Sequence, residues 1–258
     1  MRGNVGYDPW VGKFLDPVIV IPGMLGSAEK NGNWVIDPIF HTYDDLIDTL
    51  EANGYTANTN LFVFPYDWRE SNVVTARWLE AKIAAVKAIC NCSKVDLVAH
   101  SMGGLVARQY IQSNRYNGDV DQLIFLGTPH LGAPKAYLMW EGGESDVDLI
   151  DRGIKFIFTK ESKKYGYQNL FDYLRNRPIE SVKELLPIFD YTRDKNTGLI
   201  RNYPIQYPQN IFLEGLASTY DRLLNSSVNI TNLIGNVGSS STIRHIRVTS
   251  STRVGLWA

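Results

Sequence analysis

Val95-Asp96-Leu97-Val98-Ala99-His100-Ser101-Met102-Gly103-Gly104 carries the decisive reading. Lys94–Ala99 reads as a buried strand and Met102–Gln112 as a helix, which leaves Ser101 on the turn between them. A sharp strand-to-helix bend strains the serine backbone, and only small residues two positions either side let strand and helix approach. Ala99 and Gly103 meet that requirement. Such a bend lifts the hydroxyl to the carboxyl edge of a sheet, where α/β proteins bind ligands. The helix N-terminus beneath it favours developing negative charge. The small-x-Ser-x-Gly pattern alone occurs by chance in roughly one chain in five of this length, so the strand before it and the helix after it give it its weight. The competing reading of Ser101 is a structural serine, a helix cap.

Outward from this bend, strands and helices alternate. Pro17-Val-Ile-Val-Ile-Pro22 is a β-branched run closed by Pro22-Gly23 and reads as a buried strand. His41–Ala52 carries Leu46, Ile47 and Leu50 at helical spacing and stops at Asn53-Gly54. Asn60–Phe64 is a strand. Ser71–Ile89 is a long amphipathic helix, capped by Ser71, with Val74, Trp78, Ile83, Val86 and Ile89 expected inward. Gln122–Leu126 is a further strand. Near-continuous apolar strands alternating with helices predict a mostly parallel sheet with helices on both faces and right-handed crossovers.

The rhythm breaks after Pro134. Residues 135–208 mix charges, turns and aromatics, and hold twelve of the chain's thirty Phe, Tyr and Trp residues. The stretch is read as a helical cap inserted over the sheet edge. Its aromatics either line a lipid-facing groove or, as is expected for most of them, form the cap's own small core. The sheet resumes with a helix over Ile211–Leu224 and strands over Val228–Ile234 and Thr242–Thr249. The domain division expected is thus 1–134, the N-terminal part of the core; 135–208, the cap; and 209–258, the C-terminal part of the core, incomplete.

Composition bounds the function. The 258 residues are 44% hydrophobic and 21% charged, with a formal net charge of −1, so nothing in the global charge points to nucleic acid or an anionic membrane. No run approaches the roughly 18 apolar residues that span a bilayer, and Met1–Pro9 does not read as a signal peptide. Cys90 and Cys92 are too close in sequence for a relaxed disulfide to be expected, and are read as free thiols at a helix end.

Acyl transfer at a serine needs preorganised N–H donors for the tetrahedral oxyanion. One is the residue after the nucleophile, here Met102; the other comes from the loop after an early strand. Pro22-Gly23-Met24-Leu25-Gly26 fits that loop, with Met24 as the donor; an ordinary glycine turn is the plainer reading.

Taken together, Pro17-Val-Ile-Val-Ile-Pro-Gly-Met-Leu-Gly26, Phe64-Pro-Tyr-Asp-Trp-Arg69, Ala99-His-Ser-Met-Gly-Gly104 and Gly127-Thr-Pro-His-Leu-Gly-Ala-Pro134, with a weaker Glu184-Leu-Leu-Pro187, resemble the lecithin:cholesterol acyltransferase-like family of α/β-hydrolases. The resemblance spans most of residues 17–250. It implies an α/β-hydrolase fold, Ser101 as nucleophile, Met24 and Met102 as oxyanion donors, a lipid-ester substrate under a cap, and no metal or organic cofactor; transient membrane-surface contact through the cap is a separate expectation. The chain departs from the family's pattern in lacking a cysteine soon after the oxyanion loop. It also ends at Trp257-Ala258, before the family's acid and base segments, so a C-terminal truncation is expected.

The chain's own residues supply no obvious base. Chain order in this fold is serine, acid, histidine, and there are four histidines. His41 precedes the nucleophile and reads as surface. His100 lies in the bend with its ring turned away from the hydroxyl, and His130 sits in a turn; both read as structural. His245 is late enough but falls inside an alternating strand. Asp190, Asp194 and Asp221 follow no strand directly, and Asp67 is expected to pair with Arg69 or a backbone donor. The triad acid and base are therefore left unassigned. The reading is a serine-dependent lipid acyl hydrolase or O-acyltransferase; a general esterase or thioesterase, and a catalytically silent module on the same fold, stay open.

Overall fold

The computed structural model describes residues 15–142, 149–205, 207–236 and 243–249. The readings placed on Met1–Pro9 and on Trp257-Ala258 lie outside them. In chain order the elements are β1 (Val18–Ile21), β2 (Ser27–Lys30), β3 (Asn33–Ile36), α1 (Asp44–Ala52), β4 (Leu61–Val63), α2 (Asn72–Cys90), β5 (Val95–His100), α3 (Met102–Gln112) and β6 (Val120–Leu126). There follow α4 (Pro134–Gly142), α5 (Leu149–Lys164), α6 (Leu170–Asn176), α7 (Glu180–Lys183), β7 (Thr192–Asp194), α8 (Ile211–Ser218), α9 (Tyr220–Leu224), β8 (Asn229–Leu233) and β9 (Ile246–Val248).

The central sheet has the order β4-β1-β5-β6-β8, and every pairing in it is parallel. Period-2 alternation along the strands divides the core in two. Ile19 and Ile21 of β1 join Leu79 and Ile83 of α2 and Leu105 of α3. Val18 and Val20 point the other way, to Val98 and Tyr43, with Leu46, Ile47 and Leu50 of α1 packed against them. Helices therefore cover both faces, as the apolar strands require.

Four expectations are corrected. The strand over Thr242–Thr249 is reduced to β9, which leaves the central sheet and pairs in parallel with β7, from the stretch read as all helical; its alternation needed a partner, and β7 supplies one. Ile211–Leu224 breaks at Thr219 into α8 and α9. The inward face of α2 is rotated. Asn72, Thr75, Ala76, Leu79, Ile83 and Val86 are buried, whereas Trp78 and Ile89 are 44% and 61% exposed. Finally, Cys90 and Cys92 form a disulfide. Asn91, the C-cap of α2, is left-handed; the chain turns sharply there, and the Cα atoms lie 5.2 Å apart, inside the range a disulfide spans.

The β2–β3 hairpin was not anticipated, though Asn31-Gly32 signals it. Both residues have positive φ, 55° and 78°, which is the two-residue turn that matches strand twist.

Candidate active site

Ser101 sits on the bend between β5 and α3 with φ 52° and ψ −123°, a conformation that costs a non-glycine residue on the order of 1–3 kcal/mol. The neighbours hold it there. The Ser101 N–H donates to the Leu126 carbonyl at the end of β6 (2.9 Å), and its carbonyl accepts from Gly104 N–H (3.0 Å). A Cβ on Gly103 would lie 2.5 Å from the Pro22 carbonyl oxygen and 2.6 Å from that of Ile21. Only glycine lets α3 start this close to the end of β1.

The loop after β1 presses on the serine. A Cβ on Gly23 would stand 2.8 Å from Ser101 Cβ and 3.3 Å from Oγ. Two buried tyrosines fix this loop from below. Tyr66 Oη donates to the Pro22 carbonyl (2.8 Å). The Gly23 N–H donates to Tyr43 Oη (2.8 Å), which lies 2.7 Å from His100 Nδ1. The amide can only donate, so Tyr43 Oη accepts from it, and the direction of the Tyr43–His100 bond follows the imidazole tautomer. Burial holds both groups neutral, pushing the Tyr43 phenol up to about 12 and His100 down. His100 is thus committed to the loop, in keeping with its expected structural role. Nothing local in the sequence marks Tyr43, and Tyr66, though part of the Phe64–Arg69 stretch, gives no local sign of its partner; they reach the loop from 20 and 44 residues away. Among the described residues, the N–H groups of Met24 and Met102 and the Ser101 hydroxyl have no hydrogen-bond partner.

The Gly127–Pro134 turn is stitched to the Glu184–Pro187 stretch. Ala133 N–H donates to the Leu185 carbonyl (2.9 Å), and Ile188 N–H to that of Leu131 (3.0 Å). Asn210, the N-cap of α8, donates to the carbonyls of Glu184 and Leu186 at 3.0 and 2.6 Å. The Glu184 carboxylate accepts from Ser71 Oγ and Asn72 N–H at the start of α2, each at 2.6 Å.

The remaining titratable candidates are held elsewhere. His41 Nδ1 meets Asp44 on the surface (2.9 Å). His130 packs edge-on against Phe125 and lies 3.3 Å from Arg108 Nη1; burial, then the Arg108 charge, lower it to about 4. His245 is exposed, just ahead of β9. Asp190 accepts from Tyr203 N–H. Asp194 accepts from the Thr197 and Asn196 amides and from Arg201, which hold it down at about 2. Asp221 contributes its carbonyl to the end of α9. Asp67 pairs with Arg69, as expected (2.9 Å). No histidine hydrogen-bonds Ser101.

A cleft of about 630 Å³ opens beside the loop at Leu25 and runs between β2–β3, the Asp67–Glu70 stretch and α5–α6. The aromatics of the 135–208 stretch divide. Tyr137, Trp140, Tyr191 and Tyr207 are buried in a chain of ring contacts, and Phe158 and Tyr173 are buried as well, whereas Phe156, Tyr165 and Phe171 are exposed.

A family model described as lecithin:cholesterol acyltransferase matches residues 33–245. The chain belongs to the lecithin:cholesterol acyltransferase family. Phospholipase A(1) LCAT3 of Arabidopsis thaliana is 32% identical over 128 residues, which cover 48% of this chain and 26% of that protein. Lecithin-cholesterol acyltransferase-like 4 of the same plant is 27% identical over 142 residues, 50% of this chain and 26% of the relative. The chain thus spans about a quarter of each. Among solved structures, the mature form of Bacillus licheniformis lipase BlEst2 aligns over 87% of this chain and 67% of its own with a TM-score of 0.52 at 18% identity. At that identity the likeness carries the fold, an α/β-hydrolase. The matched residues include the bend at Ala99–Gly104 and the turn at Gly127–Pro134.

Proposed function

We propose that this lecithin:cholesterol acyltransferase family member acts on lipid esters through an acyl-enzyme on Ser101. Ser101 Oγ attacks the ester carbonyl carbon as its proton passes to a base, and the main-chain N–H groups of Met24 and Met102 hold the oxyanion. The carbon–oxygen bond to the alcohol then breaks, and the alcohol leaves with that proton. Water or a second alcohol attacks the acyl group, restoring the serine and giving hydrolysis or transfer. Residues 135–208 act as the cap, and the cleft that begins at Leu25, next to Met24, takes the acyl chain and meets the membrane surface. The observation that carries this reading is the strained bend at Ser101 with the Gly23 loop pressed against it.

The triad acid and base have no residue assigned. That Ser101 meets none of the four histidines favours a second reading, a silent elbow. A fluorophosphonate probe followed by peptide mass spectrometry separates the two. The expected result is a slow adduct on Ser101, lost in Ser101→Ala, because partial machinery retains residual activity. Absence of any adduct on Ser101 overturns the enzymatic reading. Preference for short over long p-nitrophenyl esters overturns the lipid one.

A further inference from the structure

A second pocket, of about 390 Å³, lies between α3, the turn after β6, α8–α9 and β8. Neither Ser101 nor the Pro22–Gly26 loop lines it. Its walls include Phe125, Leu131, Ala217, Leu223 and Ile230, and Arg108 lines it with them.

Arg108 is 3% exposed, and every acceptor it meets is neutral. Nε donates to Gln112 Oε1 (2.9 Å), Nη2 to the Leu216 carbonyl (3.1 Å), and Nη1 to the His130 carbonyl (3.2 Å) and towards His130 Nδ1 (3.3 Å). A guanidinium has five N–H donors; these four contacts leave one, on Nη2. No described carboxylate pairs with the charge, and the Tyr220 ring lies 5.8 Å away. A buried cation without a counter-charge is costly, and is normally paired or bound to an anion. Gln112, itself bonded to the Leu216 carbonyl and Thr219 Oγ1, locks the group in place, so a ligand would find it already ordered. The chemistry that satisfies both the apolar walls and the single fixed cation is a carboxylate on an aliphatic tail.

We propose that this pocket binds a long-chain fatty acid, its carboxylate accepting from Arg108 Nη2 and its chain lying along Phe125, Leu223 and Ile230. The site stands on Arg108 and these walls alone and does not depend on Ser101 chemistry. One further group answers to occupancy. His130, which lines the pocket with Tyr220 and Asn232 and is held low partly by the Arg108 charge, would rise as a bound carboxylate cancels that charge.

The test is calorimetric titration with dodecanoate below its micelle threshold, in the wild-type and Ser101→Ala chains alike. Saturable one-to-one binding is expected, tightening about fourfold per methylene from octanoate upward. Dodecanol is expected to bind at least about tenfold more weakly, since it lacks the charge-assisted bond. Arg108→Gln should lose the preference for acid over alcohol. Should that variant fail to fold, Ala217→Trp fills the pocket from an exposed helical position and leaves Arg108 untouched; it should abolish binding. His130 ring signals should titrate at higher pH with dodecanoate present. Equal affinity for dodecanol, binding that survives Ala217→Trp, an unmoved His130, or no saturable binding each overturns the proposal.

Discussion

At the residue scale the least replaceable contacts around Ser101 are hydrogen bonds that fix backbone. Tyr43 links two parts of the site that the chain separates, accepting from Gly23 N–H and hydrogen-bonded to His100 Nδ1. Tyr43→Phe removes both bonds and leaves Gly23 N–H and His100 Nδ1 unmatched, a loss of about 1–3 kcal/mol for each unsatisfied group. The expected outcome is lower stability in urea unfolding and slower fluorophosphonate labelling of Ser101. Unchanged labelling would mean that the loop holds its place without Tyr43. Ser101 itself was legible from Ala99 and Gly103, because the bend demands small neighbours within two residues. Tyr43 was not, because its partners are 20 and 57 residues away. His100 was read as structural, and its bond to Tyr43 was beyond local sequence.

At the scale of elements, β5 contains a charge where its neighbours are aliphatic. Asp96 is buried in the strand and accepts from Gln122 N–H (3.1 Å) and Nε2 (3.0 Å) on β6. Burial, then the charges of Asp16 and Asp121, push its carboxyl up to about 6. A carboxyl that binds its proton more tightly folded than unfolded favours the fold below the unfolded value of about 4 and loses that contribution as pH rises through about 6. Asp96→Asn, with the Gln122 amide turned to match, should therefore be stabilising above pH 6 by about 1–3 kcal/mol, and its advantage should shrink towards pH 4. Melting curves of both chains from pH 4 to 8 check this; a difference independent of pH would assign the effect elsewhere. Helix α2 shows why phase is harder to read than period. Its helical spacing was evident, but Ser71 and Asn72 are drawn inward by the Glu184 carboxylate, 112 residues on from Asn72. The buried face turns with them, carrying Trp78 and Ile89 outward.

At the scale of the molecule, the α4–α7 stretch is joined to the sheet by polar contacts rather than apolar ones alone. Arg69, paired with Asp67, also forms an ion pair with Glu161 of α5, and Trp68 packs edge-on against Phe158 at 5.6 Å. Arg69→Met leaves Asp67 and Glu161 facing each other without the cation between them. Hydrogen exchange should then quicken in α5 and α6 while β1 and β5 keep their protection; uniform quickening would show a global loss instead. The sequence by itself determined the parallel sheet, the bend at Ser101 and the family, because these rest on apolar period, small-residue spacing and motifs a few residues long. The tertiary structure alone decided the exit of β9 to pair with β7, the disulfide at Cys90–Cys92, the tyrosines under the Gly23 loop and the charge of Arg108 that no carboxylate among the described residues offsets. The disulfide depends on the left-handed turn at Asn91; the others depend on which distant groups share a desolvated volume, and no local pattern encodes that.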